Sequence, residues 1–300
     1  MPAQLVRFDW AIKKLLRHKA NFSILEGFLT ELLRFEVKIE NILESESNKE
    51  NLDDKYNRVD LLVKSSEGEL MLVEIQNESQ IDYFQRMIYG ASKLITEYIK
   101  QGEPYSSIKK VYSIHIVYFA IGQGKDYVYE YNGKFVGMHY KDVLTPTKNQ
   151  MREFEVDDIA DIFPQYYLLK VNNFNDVAKD SLDEWIYFLK NSEVPENFHA
   201  KGIDEAREKL RIEQLSQSEK ISYEIFAKNR RIERSVLETA WKNGERKGME
   251  KGMQQGLEKG KQMGIKDLVL RMHAQSLDIE KIAQFTGLPI EQVREFVSKS

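Results

Sequence analysis

The chain has no cysteine among its 300 residues, which excludes a disulfide framework and any thiolate metal site and fits a reducing compartment. Its five histidines, His18, His115, His139, His199 and His273, are widely separated. Neither His-x-His nor His-Glu-x-x-His spacing occurs, so a histidine-built zinc site is not expected. No stretch approaches the roughly 18 consecutive apolar residues of a bilayer span, and Met1 to Trp10 hold no long apolar run. Secretion and membrane insertion are therefore not expected, and the expected location is cytoplasmic. Net basic charge is also missing: 44 Lys and Arg face 48 Asp and Glu, a formal charge of −4. Attraction to nucleic acid has to come from local surface. What remains, with 42% hydrophobic and 31% charged residues, is a charge-rich chain long enough for one large core or two smaller ones.

Phe8 to Arg17 and Phe22 to Arg34 space their apolar residues three and four apart, which predicts two short amphipathic helices. The period then changes. Val37, Ile39 and Ile42 mark a first strand, followed by a Ser/Asn/Glu/Asp-rich loop, Glu44 to Asp54. Two alternating apolar runs come next, Val59 to Lys64 and Glu69 to Gln76, joined by Ser66-Glu67-Gly68. They read as a β-hairpin with a three-residue loop whose last position takes the left-handed backbone that glycine tolerates. Ile81, Phe84, Met87, Ile88, Ala91, Leu94, Ile95 and Ile99 keep one apolar stripe, predicting a helix that Gly102 and Pro104 end. Val111 to Phe119 is a nearly continuous apolar strand of the kind buried on both faces. A second hairpin is expected around Asn132-Gly133, within Tyr127 to Tyr140. Helices packed back on the sheet are expected between Ile159 and Leu189. The α/β core is expected to span 1–195, followed by a helical linker over 196–241, an arm with glycine at every fourth position over 242–266, and a small helical element over 267–300.

The first hairpin carries two acids. With Ser65 paired to Glu69, counting back along both strands sets Asp60 opposite Glu74, Leu62 opposite Leu72 and Lys64 opposite Leu70. The period of two puts Gln76 on the face of Glu74. Directly opposite residues have Cβ atoms roughly 4.5–5.5 Å apart, where like charges repel. A divalent cation would offset that repulsion, two carboxylates being usual oxygen anchors for Mg²⁺. The alternatives are two partly exposed acids at a sheet edge, or one acid kept protonated by the other. Lys64, on the face of Asp60, is either a nearby charge or a solvated hairpin residue.

The order helix, three strands, helix, strand, the Asp60…Glu74-x-Gln76 spacing and the helix Tyr83-Phe84-Gln85-Arg86-Met87-Ile88-Tyr89 together resemble the PD-(D/E)XK nuclease superfamily. Three phrases bring the likeness closer to the Rpn group, bacterial proteins described as recombination-promoting nucleases or transposases. They are Phe8-Asp9-Trp10-Ala11-Ile12-Lys13-Lys14-Leu15-Leu16, Leu43-Glu44-Ser45-Glu46-Ser47-Asn48-Lys49 and Leu182-Asp183-Glu184-Trp185-Ile186. The resemblance implies a restriction-endonuclease-like αβββαβ core, a mixed sheet flanked by helices. It implies Mg²⁺-dependent DNA hydrolysis, with Mn²⁺ substituting, in which Asp60, Glu74 and the backbone carbonyl of Ile75 hold the metal. The implied catalytic set is Asp60, Glu74, Gln76 and Asp9. The wider superfamily has lysine where Gln76 stands. An amide can position a water but carries no charge and takes no proton; the Rpn group is similar in having Gln there. Asp9 is the candidate for the acid that superfamily members often add from their first helix, with Glu26 and Glu31 as rivals; its alternative role is a helix N-cap for Trp10 onward. Arg86 and Tyr89, three apart on the helix after Gln76, are the candidate DNA-phosphate contacts, the alternative being an exposed helix surface.

Beyond Lys201 the composition turns to charged helix formers. Gly244, Gly248, Gly252, Gly256, Gly260 and Gly264 recur every fourth residue, although each costs a helix about 0.8–1.0 kcal/mol relative to Ala. On a helix they form one drifting stripe about 30 Å long, where a second backbone can approach closely. Self-association into a homodimer or higher homo-oligomer is expected there, with a flexible charged linker as the alternative. Local excess of Lys and Arg in the same stretch also suits nonspecific phosphate contact. Asp278 to Lys299 reads as two short helices around Gly287-Leu288-Pro289, a helix-turn-helix-like element with too few basic residues for groove reading. The expected function is a Mg²⁺-dependent DNA endonuclease that promotes recombination. Its rivals are a catalytically inactive DNA-binding or assembly protein of the same fold, and a transposase with strand-transfer activity.

Overall fold

Alternation over Leu61 to Gln76 produces a hairpin within a six-stranded mixed sheet. The computed structural model describes residues 4–43, 60–99 and 102–298; the polar loop Glu44 to Asp54 and Val59 lie outside them. The strands are β1 (Ile39–Leu43), β2 (Leu61–Ser65), β3 (Leu70–Gln76), β4 (Val111–Val117), β5 (Val128–Tyr131) and β6 (Gln165–Lys170), in the order β1-β2-β3-β4-β6-β5. The first three are antiparallel neighbours, β3, β4 and β6 run parallel, and β5 returns antiparallel to β6. The register of the hairpin is the one counted from its loop, with Leu62 opposite Leu72 and Lys64 opposite Leu70. Gly68 makes the turn with φ +86, its N–H donating to the Ser65 carbonyl at 3.0 Å.

Helix α1 (Phe8–Lys14), α2 (Phe22–Leu33) and α5 (Ser181–Asn191) cover one face of the sheet. There Phe35 meets Tyr112 of β4, and the Tyr118 hydroxyl donates to the Leu189 carbonyl. Phe8, Phe28, Trp185 and Phe188 lock the three helices in edge-on aromatic contacts, each worth about 0.5–1.5 kcal/mol beyond area burial. Helix α3 (Tyr83–Tyr98) covers the other face, with Ala91 and Leu94 on Leu62, Leu70, Leu72 and Val111. Toward its N-terminus, Tyr83 and Met87 pack on Val117 and Leu168. Short α4 (Lys148–Phe154) starts with a capping box between Thr147 and Gln150.

Several sequence expectations change. The stripe of α3 is Tyr83, Met87, Ala91 and Leu94, while Ile81, Phe84 and Ile88 are exposed. The apolar pattern was wide enough to fit two helix faces about 100° apart, and contact with the sheet selects the one carrying Tyr83. Tyr166 to Leu169, expected to be helical, lie on strand β6 between β4 and β5. A short apolar run has no period of its own to separate helix from strand. The hairpin at Asn132-Gly133 does not form. Neither residue has positive φ, as the tight turn requires; β5 pairs with β6, and only an isolated Val136 to Val143 bridge follows.

The chain divides into two compact units, Met1–Glu224 and Ile225–Ser300. Helix α6 (Ile203–Lys209) packs on α2, where a Cβ at Gly27 would collide with the Lys201 carbonyl. Val6 N–H donates to the Leu210 carbonyl at 2.8 Å, and Trp10 meets the Tyr223 ring. Helix α7 (Gln217–Ala274) is shared by both units. In the second unit, α8 (Ile279–Thr286) and α9 (Ile290–Ser298) build a small core of Val269, Ile282, Ala283 and Val293. No described helix is long and apolar enough to cross a membrane.

Candidate active site

Both hairpin acids reach the end of the sheet where β3 finishes. The ladder of β2 and β3 ends at Leu61 opposite Val73; Asp60 is the residue just before β2, and Glu74, next after Val73 on β3, lies on the face that α3 covers. Asp60 turns its carboxylate onto β3: Oδ2 accepts the Ile75 N–H at 2.7 Å. Tyr118 N–H donates to the Gln76 carbonyl at 3.0 Å, so Gln76 presents its backbone oxygen to β4. By alternation the Ile75 carbonyl points the opposite way, to the side of Asp60.

Each acid has basic company. Lys13 of α1 places Nζ 2.8 Å from Asp60 Oδ1, and Arg17 Nη2 donates to the Asp60 backbone carbonyl at 2.7 Å. Glu74 is buried. Its Oε1 lies 3.4 Å from Arg86 Nη2 of α3, and its Oε2 lies 3.4 Å from His115 Nδ1 of β4. His115 is fully buried and fixed in turn, with the Tyr83 hydroxyl 3.1 Å from Nδ1 and the Ser113 hydroxyl 2.8 Å from Nε2. Burial is the largest influence on Glu74 and pushes its pKa up, yet His115 and Arg86 together hold the carboxylate below its ordinary range. The Tyr83 hydroxyl is driven far above the usual phenol range by burial first, then by Glu74 and, more weakly, Asp60.

The other sequence candidates fall in different places. Gln76 donates from Nε2 to the Glu78 carbonyl at 3.3 Å and to neither acid. Asp9 is buried and clasped by the Arg7 guanidinium through two bonds of 3.1 Å. Asn77, the residue after Gln76, also donates to it at 3.3 Å. Arg7, not Asp9, is the N-cap of α1. Glu26 accepts the Ile39 N–H, and Glu31 binds Ser181 and the Lys201 N–H, so both tie elements together away from the acid pair. Arg86 enters the site, whereas Tyr89 stays half exposed on α3. Lys64 pairs with Glu40 of β1 at 2.6 Å.

Sequence reasoning missed Lys13, Arg17, Tyr83, Ser113 and His115. One signal for the last two was legible: Ser113 and His115 are polar residues two apart in an otherwise apolar strand, so they share a face and need each other or a partner when buried.

As donors the acid pair offers the Asp60 and Glu74 carboxylates and the Ile75 carbonyl, all hard oxygens of the kind Mg²⁺ and Mn²⁺ take. Among the described residues no group of three or more His, Asp or Glu side chains gathers as a metal cage, so a metal here would rest on two carboxylates, backbone and water. No curated protein and no solved structure matches the chain. Residues 6–240 match the family model described as PD-(D/E)XK nuclease family transposase, in accord with the topology of this sheet, and the chain belongs to that family.

Proposed function

We propose that this chain is a divalent-metal-dependent DNA endonuclease that hydrolyses phosphodiester bonds at Asp60, Glu74 and Gln76 and promotes recombination through the breaks it makes. The observation that carries the reading is the Asp60 carboxylate seated on the Ile75 N–H, beside Glu74, in a chain of a nuclease family. A bound Mg²⁺ or Mn²⁺ would supply a water of lowered pKa and neutralise charge on the phosphoryl oxygens. Asp60 and Glu74 provide the anionic oxygens that hold it. His115 and Arg86 keep Glu74 ionised and hold its orientation. Gln76, by turning its amide from the Glu78 carbonyl, can orient a water but cannot accept its proton; that proton passes to solvent or to a phosphate oxygen. Asp9, held on Asn77, steadies the chain just beyond Gln76. Arg86 and Tyr89 of α3 are the proposed contacts to DNA phosphates.

Self-association belongs to the same reading. On α7 the glycine stripe has open space at every position, and Met249, Met253 and Leu257, each next to a glycine, are exposed. Two chains meeting there would form the homodimer or higher homo-oligomer that belongs to this reading.

The test is nicking of supercoiled plasmid by the purified chain with Mg²⁺ or Mn²⁺, compared with Asp60→Asn and with chelator. Cleavage lost in both controls is the expected result. A wild type that binds DNA but leaves the plasmid as intact as Asp60→Asn does would favour an inactive binding or assembly protein. Covalent joining of a donor end to the plasmid would instead mark strand transfer.

A further inference from the structure

Two carboxylates gathered at one end of β2 and β3 call for opposite charge close by. Each has its own side-chain cation, but the two pairs differ in construction. Arg86 is mostly enclosed and bonded also to Gln80, so it forms part of the walls around Glu74. Lys13 has half of its side chain exposed and pairs, among the described residues, with Asp60 alone. Asp60 does not need Lys13 for orientation. Its Oδ2 is fixed by the Ile75 N–H, and its backbone carbonyl is held by Arg17. The oxygen that Lys13 covers, Oδ1, is the one left for a ligand. An ammonium on a flexible four-carbon stem is a mobile point charge, and it occupies the position that a metal ion would contest.

We propose that Lys13 is a resident counter-ion that leaves Asp60 Oδ1 when this carboxylate takes up a divalent cation, and that its freed ammonium then binds a phosphate oxygen of the DNA at the site. The inference rests on the nuclease reading and adds a coupling to it. Metal uptake releases a cation for DNA, and by linkage DNA raises metal affinity by the same factor that metal raises DNA affinity. Lys13 also brings to the site the positive charge that Gln76 lacks.

The test is calorimetric titration of Mn²⁺ into the full chain, alone and with a short phosphorothioate duplex, for wild type, Lys13→Gln, Lys13→Arg and Asp60→Asn. Without DNA, Lys13→Gln is expected to bind Mn²⁺ roughly two- to five-fold more tightly than wild type, the range of a partly exposed ion pair. The increase in Mn²⁺ affinity that DNA produces in wild type is expected to shrink in Lys13→Gln and to survive in Lys13→Arg. With Mn²⁺ present, the salt slope of DNA binding in Lys13→Gln should fall by about one, while without metal it matches wild type. Mn²⁺ affinity in Lys13→Gln that is equal to or weaker than wild type overturns the exchange and leaves the nuclease reading standing. A wild-type titration that Asp60→Asn does not alter overturns both.

Discussion

Asp60 and Glu74 hold equal formal charge, yet they answer to different neighbours, and their substitutions differ accordingly. Asp60 is held by one backbone N–H and one half-exposed lysine. Asp60→Asn should therefore change stability by less than about 1 kcal/mol, measured by urea unfolding, while reducing nicking by about 100-fold or more. Glu74 is buried against Arg86 and His115. Glu74→Gln removes a charged acceptor from two donors and is expected to cost about 1.5–3 kcal/mol of stability, so lost activity there says less about chemistry. His115 touches Glu74 without approaching solvent. Replacing it with Asn is expected to weaken Mn²⁺ binding by about 10–100-fold while DNA affinity measured without metal is unchanged. Equal Mn²⁺ affinity in wild type and variant would reduce His115 to a packing residue.

At the scale of elements, the hairpin loop sets the register on which the acid pair depends. Gly68 holds a left-handed backbone, so Gly68→Ala should cost about 1–2 kcal/mol in denaturant unfolding, and a stability equal to wild type would mean that the turn relaxes elsewhere. This local control is why Asp60 and Glu74 were legible in the sequence. Counting from Ser65 and Glu69 needs no knowledge of distant chain, and the period of two carries the count to both acids. Lys13, Arg17 and His115 were not legible because helix α1 and strand β4 bring them to Asp60 and Glu74 from remote segments, and no local pattern encodes that meeting. Asn132-Gly133 shows the reverse case: a strong local turn signal gives way because pairing with β6 supplies β5 with its hydrogen bonds. Along α7, by contrast, nothing surrounds the glycines. Gly256→Ala should stabilise the helix by about 0.8–1 kcal/mol, read from thermal unfolding of the full chain. Sedimentation of the same variant should show weaker self-association if the stripe is the contact, and unchanged association would move the contact off it.

The whole molecule comprises a sheet-based unit ending at Glu224 and a helical unit beyond it, and every residue of the candidate site belongs to the first. A chain truncated after Glu224 is therefore expected to unfold cooperatively and to nick plasmid in the presence of Mn²⁺, while sedimenting as a monomer. Loss of cooperative unfolding on truncation would show that the first unit depends on the second. The family match spans 6–240, so it covers the whole of the sheet-based unit's candidate site and extends into α7. The central claim at this scale is that one sheet end collects two acids for one ion. The most direct measurement is an anomalous difference map from crystals grown with Mn²⁺. The result expected is one manganese peak within about 2.0–2.6 Å of oxygens from Asp60, Glu74 and Ile75, with Lys13 withdrawn from Asp60. Ordered acids still paired with Lys13 and Arg86, and no peak between them at saturating Mn²⁺, would contradict it.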